Sequence, residues 1–206
     1  MSGIERADSM VWNFHKMSNA PMQCSFLGVK EKGLLERCNS TQVEYLFQAD
    51  KYYDRNFDQG NKTIQCGKKI DNFKLWMMWK ARGDHGMKQK VERMMDLSHY
   101  LMEKIQEQDD YRLVLPEFEC TNICFWYIPP SLRNQEENDE WWQKLSKVAP
   151  IIKGRMVSAG TLMVGYQPIP SLNKVNFFRF VLCQENCEKC DLDFIVEEIR
   201  HLGEDL

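Results

Sequence analysis

A mixed α/β fold is what this sequence of 206 residues predicts. Three observations carry that expectation. Short β-prone runs alternate with helical ones, and one helical run spaces its apolar residues for a single buried stripe. The later strands are separated by short turns, which favours an antiparallel sheet over a parallel one. With 43% hydrophobic and 12% aromatic residues, the chain has enough apolar mass for a packed core.

Taken in order, residues 8–12 and 23–30 read as short strands, with Asn13-Phe14-His15-Lys16 turning between them. Residues 50–67 hold Asp50, Asp54, Asn56, Asp58, Gly60, Asn61 and Gly67, which is loop chemistry. A helix starts near Asp71, a fair N-cap, carries Phe73, Leu75, Trp76, Met77 and Trp79, and stops at Gly83. A second helix places Met87, Val91, Met94, Ser98, Leu101 and Ile105 on one stripe. Its methionines fit packing better than a ligand groove. Strands follow at 111–115 and 121–128, the latter ended by Pro129-Pro130. Residues 139–156 are helical with an interruption at Pro150, 161–166 and 175–182 are strands, and 191–202 form a closing amphipathic helix. The domain boundary falls on the helix that begins near Asp71, dividing the chain into residues 1–74 and 75–206.

Composition narrows the function. Lys plus Arg number 27 against 30 Asp plus Glu, a net charge of -3 with no block of one sign. Neither a nucleic acid nor a membrane surface is an expected partner. No apolar run spans a bilayer, and Met-Ser-Gly-Ile-Glu-Arg-Ala-Asp lacks the layout of a signal peptide, so the cytosol is the expected compartment. Cys24, Cys38, Cys66, Cys120 and Cys124 read as reduced, mostly buried thiols. Cys183, Cys187 and Cys190 have the spacing of a three-thiolate cluster site. With no fourth ligand nearby they read instead as a polar loop, and no metal is expected.

A lysine is ordinarily a solvated surface charge. Lys16 has a different context: it follows a strand and is flanked by Trp12, Phe14 and Met17 in a segment poor in charge. An apolar setting penalises the ammonium form, and the free amine is what attacks an aldehyde to give a Schiff base. The run Ala7-Asp8-Ser9-Met10-Val11-Trp12-Asn13-Phe14-His15-Lys16-Met17 resembles the cofactor-lysine segment of the group II pyridoxal-phosphate (PLP) decarboxylases. That family includes decarboxylases of glutamate, cysteine sulfinate and aspartate. Collinear likeness continues at Tyr45-Leu46-Phe47-Gln48-Ala49-Asp50-Lys51, Gln65-Cys66-Gly67, Phe125-Trp126-Tyr127-Ile128-Pro129-Pro130, Val148-Ala149-Pro150, Gly165-Tyr166-Gln167-Pro168, Asn176-Phe177-Phe178-Arg179 and Leu202-Gly203-Glu204-Asp205-Leu206.

The resemblance implies a PLP-dependent transferase-like fold of type I, of which this chain holds the end of the large domain and the small C-terminal domain. It implies that Lys16 carries PLP covalently and that His15 lies by the cofactor, near its phosphate. A turn histidine satisfied by backbone is the competing reading. Tyr45 matches a loop tyrosine that protonates the substrate carbon after CO2 leaves; the alternative is an aromatic anchor. Arg179, among apolar strand neighbours, matches the arginine that contacts the substrate's acidic group, and the alternative is an internal salt bridge. Two departures stand out. Phe14 replaces the usual proline, freeing a backbone angle before Lys16, and Asp58-Gln59-Gly60-Asn61-Lys62 replaces Asp-Thr-Gly-Asp-Lys. The family's other cofactor residues lie upstream of the cofactor lysine, so the expectation is a fragment of a homodimeric enzyme for a small acidic amino acid. An inactive chain that pairs with a full-length subunit is the alternative.

Overall fold

The computed structural model describes all residues except Met1, Thr41, Gln42, Leu46, Phe47, Ala49, Gln59, Cys66 and Lys68. It divides into two compact units, Met1–Met87 and Lys88–Leu206.

In the first unit, β1 (Ser9–Asn13) and β2 (Ser25–Val29) form an antiparallel hairpin in which Ser9 pairs with Val29 and Asn13 with Ser25. The predicted pair of strands is there, joined by the turn at Phe14. A short helix the sequence pattern did not announce, α1 (Leu34–Asn39), follows Gly33, whose φ of 81° is left-handed. From 50 to 67 the described residues form loop with two single 3-10 turns, Arg55–Phe57 and Gly60–Lys62. Lys51 Nζ reaches Asp58 at 2.8 Å across this loop. Phe14, Ala20 and Cys24 are buried together, with Leu75 and Met78 packed against them.

Those last two side chains belong to α2 (Asp71–Gln106), which contains the boundary between the units. Asp71 sits in its first turn and pairs with Lys74 Nζ at 2.7 Å. The expected break at Gly83 is present: φ is 67° and ψ 175°, a conformation outside the helix that glycine adopts without a Cβ clash. The helix then resumes at once. Met87, Met94, Ser98, Leu101 and Ile105 are buried and Val91 half-buried, so the stripe is a packing face.

The second unit is built on an antiparallel sheet ordered β3-β4-β6-β5, from β3 (Tyr111–Leu113), β4 (Asn122–Tyr127), β5 (Gly165–Ile169) and β6 (Lys174–Val181). β5 begins later than expected, because residues 161–164 are not strand. Tyr111, Phe125, Tyr127 and Phe178 share one face and are buried, their rings packing edge-on or tilted. Against this core lies α4 (Lys189–Gly203), opened by a capping box between Glu188 and Asp191. Tyr111 donates its hydroxyl proton to the Val196 carbonyl at 2.6 Å. Burial pushes that phenol's pKa well up and keeps it a donor. Gly203 is required by close approach, since a Cβ there would stand 2.5 Å from the Tyr127 ring. Asp110, nearly buried, holds Arg200 Nε at 2.7 Å and Arg133 at 3.5 Å, tying the end of β3 to α4. Tyr100 and Lys104 of α2 both meet Asp193 of α4, at 2.7 and 3.1 Å.

Pro150 corrects one expectation. The helix α3 (Asp139–Ala159), capped by Asn138, runs through it without interruption. Proline has no N–H to give the carbonyl four residues back, here that of Ser146. Asn176 of β6 supplies the donor instead, Nδ2 to Ser146 O at 2.8 Å. A side chain distant in sequence thus completes the helix that proline leaves open.

Candidate functional site

Lys16 lies in the β1–β2 connection, and the hairpin dictates its position. Lys16 N donates to Asn13 O at 3.0 Å, closing a four-residue turn. Asn19 N donates to Lys16 O and Ala20 N to Phe14 O, both at 3.0 Å, while His15 N reaches Cys24 O at 3.2 Å. The backbone on both sides of the lysine is therefore held. Its side chain is exposed and makes no hydrogen bond or ion pair among the described residues. The apolar setting expected from the sequence is not assembled here. Phe14 turns into the cluster with Ala20 and Cys24, and Trp12 stacks on Phe14 at 4.8 Å rather than covering the amine.

His15 is fixed through one ring nitrogen. Nδ1 is 2.8 Å from Cys24 O and 3.2 Å from Cys24 N. With a proton on Nδ1 the ring donates to the carbonyl; without it, the ring accepts from the amide. Backbone satisfies Nδ1, as the turn-histidine reading has it, and no described residue engages Nε2. The Cys24 thiol is buried, which raises its pKa, with Asp71 acting in the same direction. A neutral thiol there is packing rather than a nucleophile.

The departure at Phe14 has a structural answer. A proline would fix one backbone angle; Phe14 instead anchors the turn by burial and by its ring contact with Trp12. Tyr45 sits in a turn, highly exposed, with its carbonyl accepting from Gln48 Nε2 at 2.7 Å. Leu46, Phe47 and Ala49 of its motif, like Cys66, lie outside the described residues.

Arg179 belongs to the second unit, on β6. Among apolar strand neighbours it reads as a buried arginine that must be paired, with the substrate's acidic group or with an internal acid. It is exposed, and no described acid forms an ion pair with it. The cause is the width of its neighbours, for its cross-strand partners are Cys124 on β4 and Gly165 on β5. Neither reaches over the guanidinium. Phe177, two residues back on the same face, is buried against Trp126. Burial raises the Cys124 thiol's pKa, and Arg179 opposes that shift. The two units thus carry separate parts of the proposed chemistry, Lys16, His15 and Tyr45 on one and Arg179 on the other. Among the described residues no group of three or more His, Cys, Asp and Glu is gathered for a metal, and no helix is long and apolar enough to cross a membrane.

Comparison with known proteins adds the family. Residues 1–128 match the pyridoxal-dependent decarboxylase conserved domain. The whole chain aligns at 49% identity with acidic amino acid decarboxylase GADL1 of Xenopus tropicalis, covering 40% of that protein. With the protein of the same name from Homo sapiens the identity is 50%, covering 39%. The crystal structure of mouse CSAD superposes over the full chain with a TM-score of 0.90 at 43% identity, matching 42% of that chain. At 20% identity, a tryptophan decarboxylase from Catharanthus roseus shares the fold with a TM-score of 0.76. The chain therefore spans about 40% of the length of these relatives. A family match over more than half its residues, and identity near one half along its whole length, establish that this chain belongs to the pyridoxal-dependent decarboxylases.

Proposed function

We propose that this chain is the C-terminal portion of a PLP-dependent decarboxylase acting on a small acidic amino acid, with Lys16 as the cofactor-bearing residue. The observation that carries the reading is the full-chain alignment with relatives named acidic amino acid decarboxylase. Lys16 fits the cofactor's chemistry, because its backbone is pinned on both sides while its amine is uncommitted. When bound, PLP supplies an electron-accepting ring that makes loss of CO2 from the α-carbon accessible.

The chain's own residues do the positioning and the proton work. Lys16 would hold the cofactor through its amine, the group the substrate's amine would compete with. His15, its Nδ1 occupied by the Cys24 backbone, would meet the cofactor phosphate through Nε2. The Tyr45 hydroxyl delivers a proton to the substrate carbon once CO2 has left. Arg179 takes the substrate's acidic group in its guanidinium fork. Cysteine sulfinate and aspartate are the favoured substrates, with glutamate behind them. In this reading the enzyme is a cytoplasmic homodimer, and the remaining cofactor contacts come from sequence upstream of this chain. A second reading is an inactive chain that pairs with a full-length subunit.

Reductive trapping decides the central assignment. Borohydride treatment of the complete, PLP-loaded decarboxylase followed by peptide mapping places the label on Lys16. Label on any other lysine overturns the proposal.

A further inference from the structure

We infer that Gly165 is a specificity-determining position: the missing side chain opposite Arg179 keeps the guanidinium unpaired and open to an incoming anion. The inference rests on the reading of Arg179 as the acidic-group contact and says what keeps that contact available.

Glycine inside a strand weakens it, and where it occurs it usually marks a bulge, a left-handed residue, or a close approach by backbone or ligand. The first three causes are absent at Gly165. The bulge on β5 lies between Gln167 and Ile169. The residues with positive φ among the glycines are Gly3, Gly33, Gly83 and Gly160, and Gly165 is not one of them. A Cβ built at Gly165 meets nothing closer than Arg179 O at 3.9 Å, an ordinary contact. The fold would accept a side chain here. What the glycine leaves is room over the next strand.

Paired residues on adjacent antiparallel strands point to the same face of the sheet, with Cβ atoms about 5 Å apart. Gly165, Arg179 and Cys124 therefore form one row across β5, β6 and β4. The row contains one cation, no anion and no bulky group. An Asp or Glu at either flank would pair with Arg179 inside the chain and compete with any external acid. Cys124 cannot do so, because burial holds its thiol in the neutral form. Gly165 has no group to offer. The anion that fits this row is a carboxylate or sulfinate carried on a small molecule.

Charge and bulk are separated by comparing Gly165→Asp with Gly165→Asn, which have nearly the same size. Cys124, in the same row, serves as a built-in reporter. In the full chain, the rate of Cys124 alkylation by anionic iodoacetate relative to neutral iodoacetamide is read by peptide mass mapping. Arg179 raises that ratio by about threefold, the size of one charge acting over this distance at a solvated surface. Gly165→Asp removes the enhancement, as Arg179→Gln does, while Gly165→Asn keeps it. In the complete decarboxylase, Gly165→Asp raises KM for the acidic substrate at least fivefold more than Gly165→Asn, with kcat changing equally in both. Circular dichroism melts verify folding, and Gly165→Glu stands in if the Asp variant does not fold. If Arg179→Gln leaves the ratio unchanged, the Arg179 reading itself fails. If Arg179→Gln lowers it but the Asp and Asn variants agree, only the role of Gly165 is overturned.

Discussion

At the scale of single residues, the turn at Lys16 shows how one constraint replaces another. Proline would restrict the backbone by its ring; Phe14 restricts it by burial, with its carbonyl also accepting from Ala20 N at 3.0 Å. Removing a nearly buried phenyl ring costs about 3 kcal/mol. Phe14→Ala is therefore expected to cut hydrogen-exchange protection at the His15 and Ala20 amides about a hundredfold, while amides of the second unit hold theirs. Unchanged protection at those two amides would mean that the hairpin bonds alone define the turn. The turn itself was legible, because a strand, a turn-forming Asn13 and a second strand lie in sequence. The exposure of Lys16 and Arg179 was not. Whether a cation is covered depends on which side chains stand across from it, and for Arg179 those come from residues 124 and 165. The hold of Cys24 on His15 was not legible either, since it acts through the backbone and not through the thiol the sequence displays.

At the scale of elements, period and punctuation located most strands and helices, including the break at Gly83. They failed at Pro150, where local rules end a helix and a remote residue restores it. Asn176 makes a bond that exists only because Pro150 donates none. The two residues should therefore be energetically coupled. In the native background Asn176→Ala leaves the Ser146 carbonyl without its protein donor and costs about 1–3 kcal/mol. In a Pro150→Ala background the helix supplies its own N–H, so the same substitution should cost less than half as much. Chemical denaturation of the four proteins of this cycle measures the difference. Equal costs in both backgrounds would show that Asn176 does no work for the helix. The same bond anchors β6 three residues before Arg179, linking a helix repair to the strand that presents the guanidinium.

At the scale of the whole molecule, the two units are unequal in what they bury. The second holds Phe125, Phe178, Ile152, Leu192 and Ile199 with essentially no exposure, and its Asp110–Arg200 pairing ties β3 to α4. In the first unit, the cluster around Phe14 is small, and Val11, Trp12, Phe26, Leu27, Phe73, Trp76 and Met77 are exposed. Stability within a chain follows the local density of buried contacts, so the units should open at different free energies. Protease attack tracks the population of such openings when reclosing is fast. Lys80, Arg82 and Lys88 are exposed around the Gly83 break, which interrupts the helical hydrogen bonds just there. Limited trypsin digestion should therefore cut first at these residues or upstream of them. The surviving fragment should begin between residues 81 and 89, end at Leu206, and keep a cooperative thermal transition. Mass spectrometry of the time course identifies it. Early cleavage at Arg112, Arg133 or Lys174 would instead place the weak point inside the sheet unit, and the difference in burial would not govern how this chain comes apart.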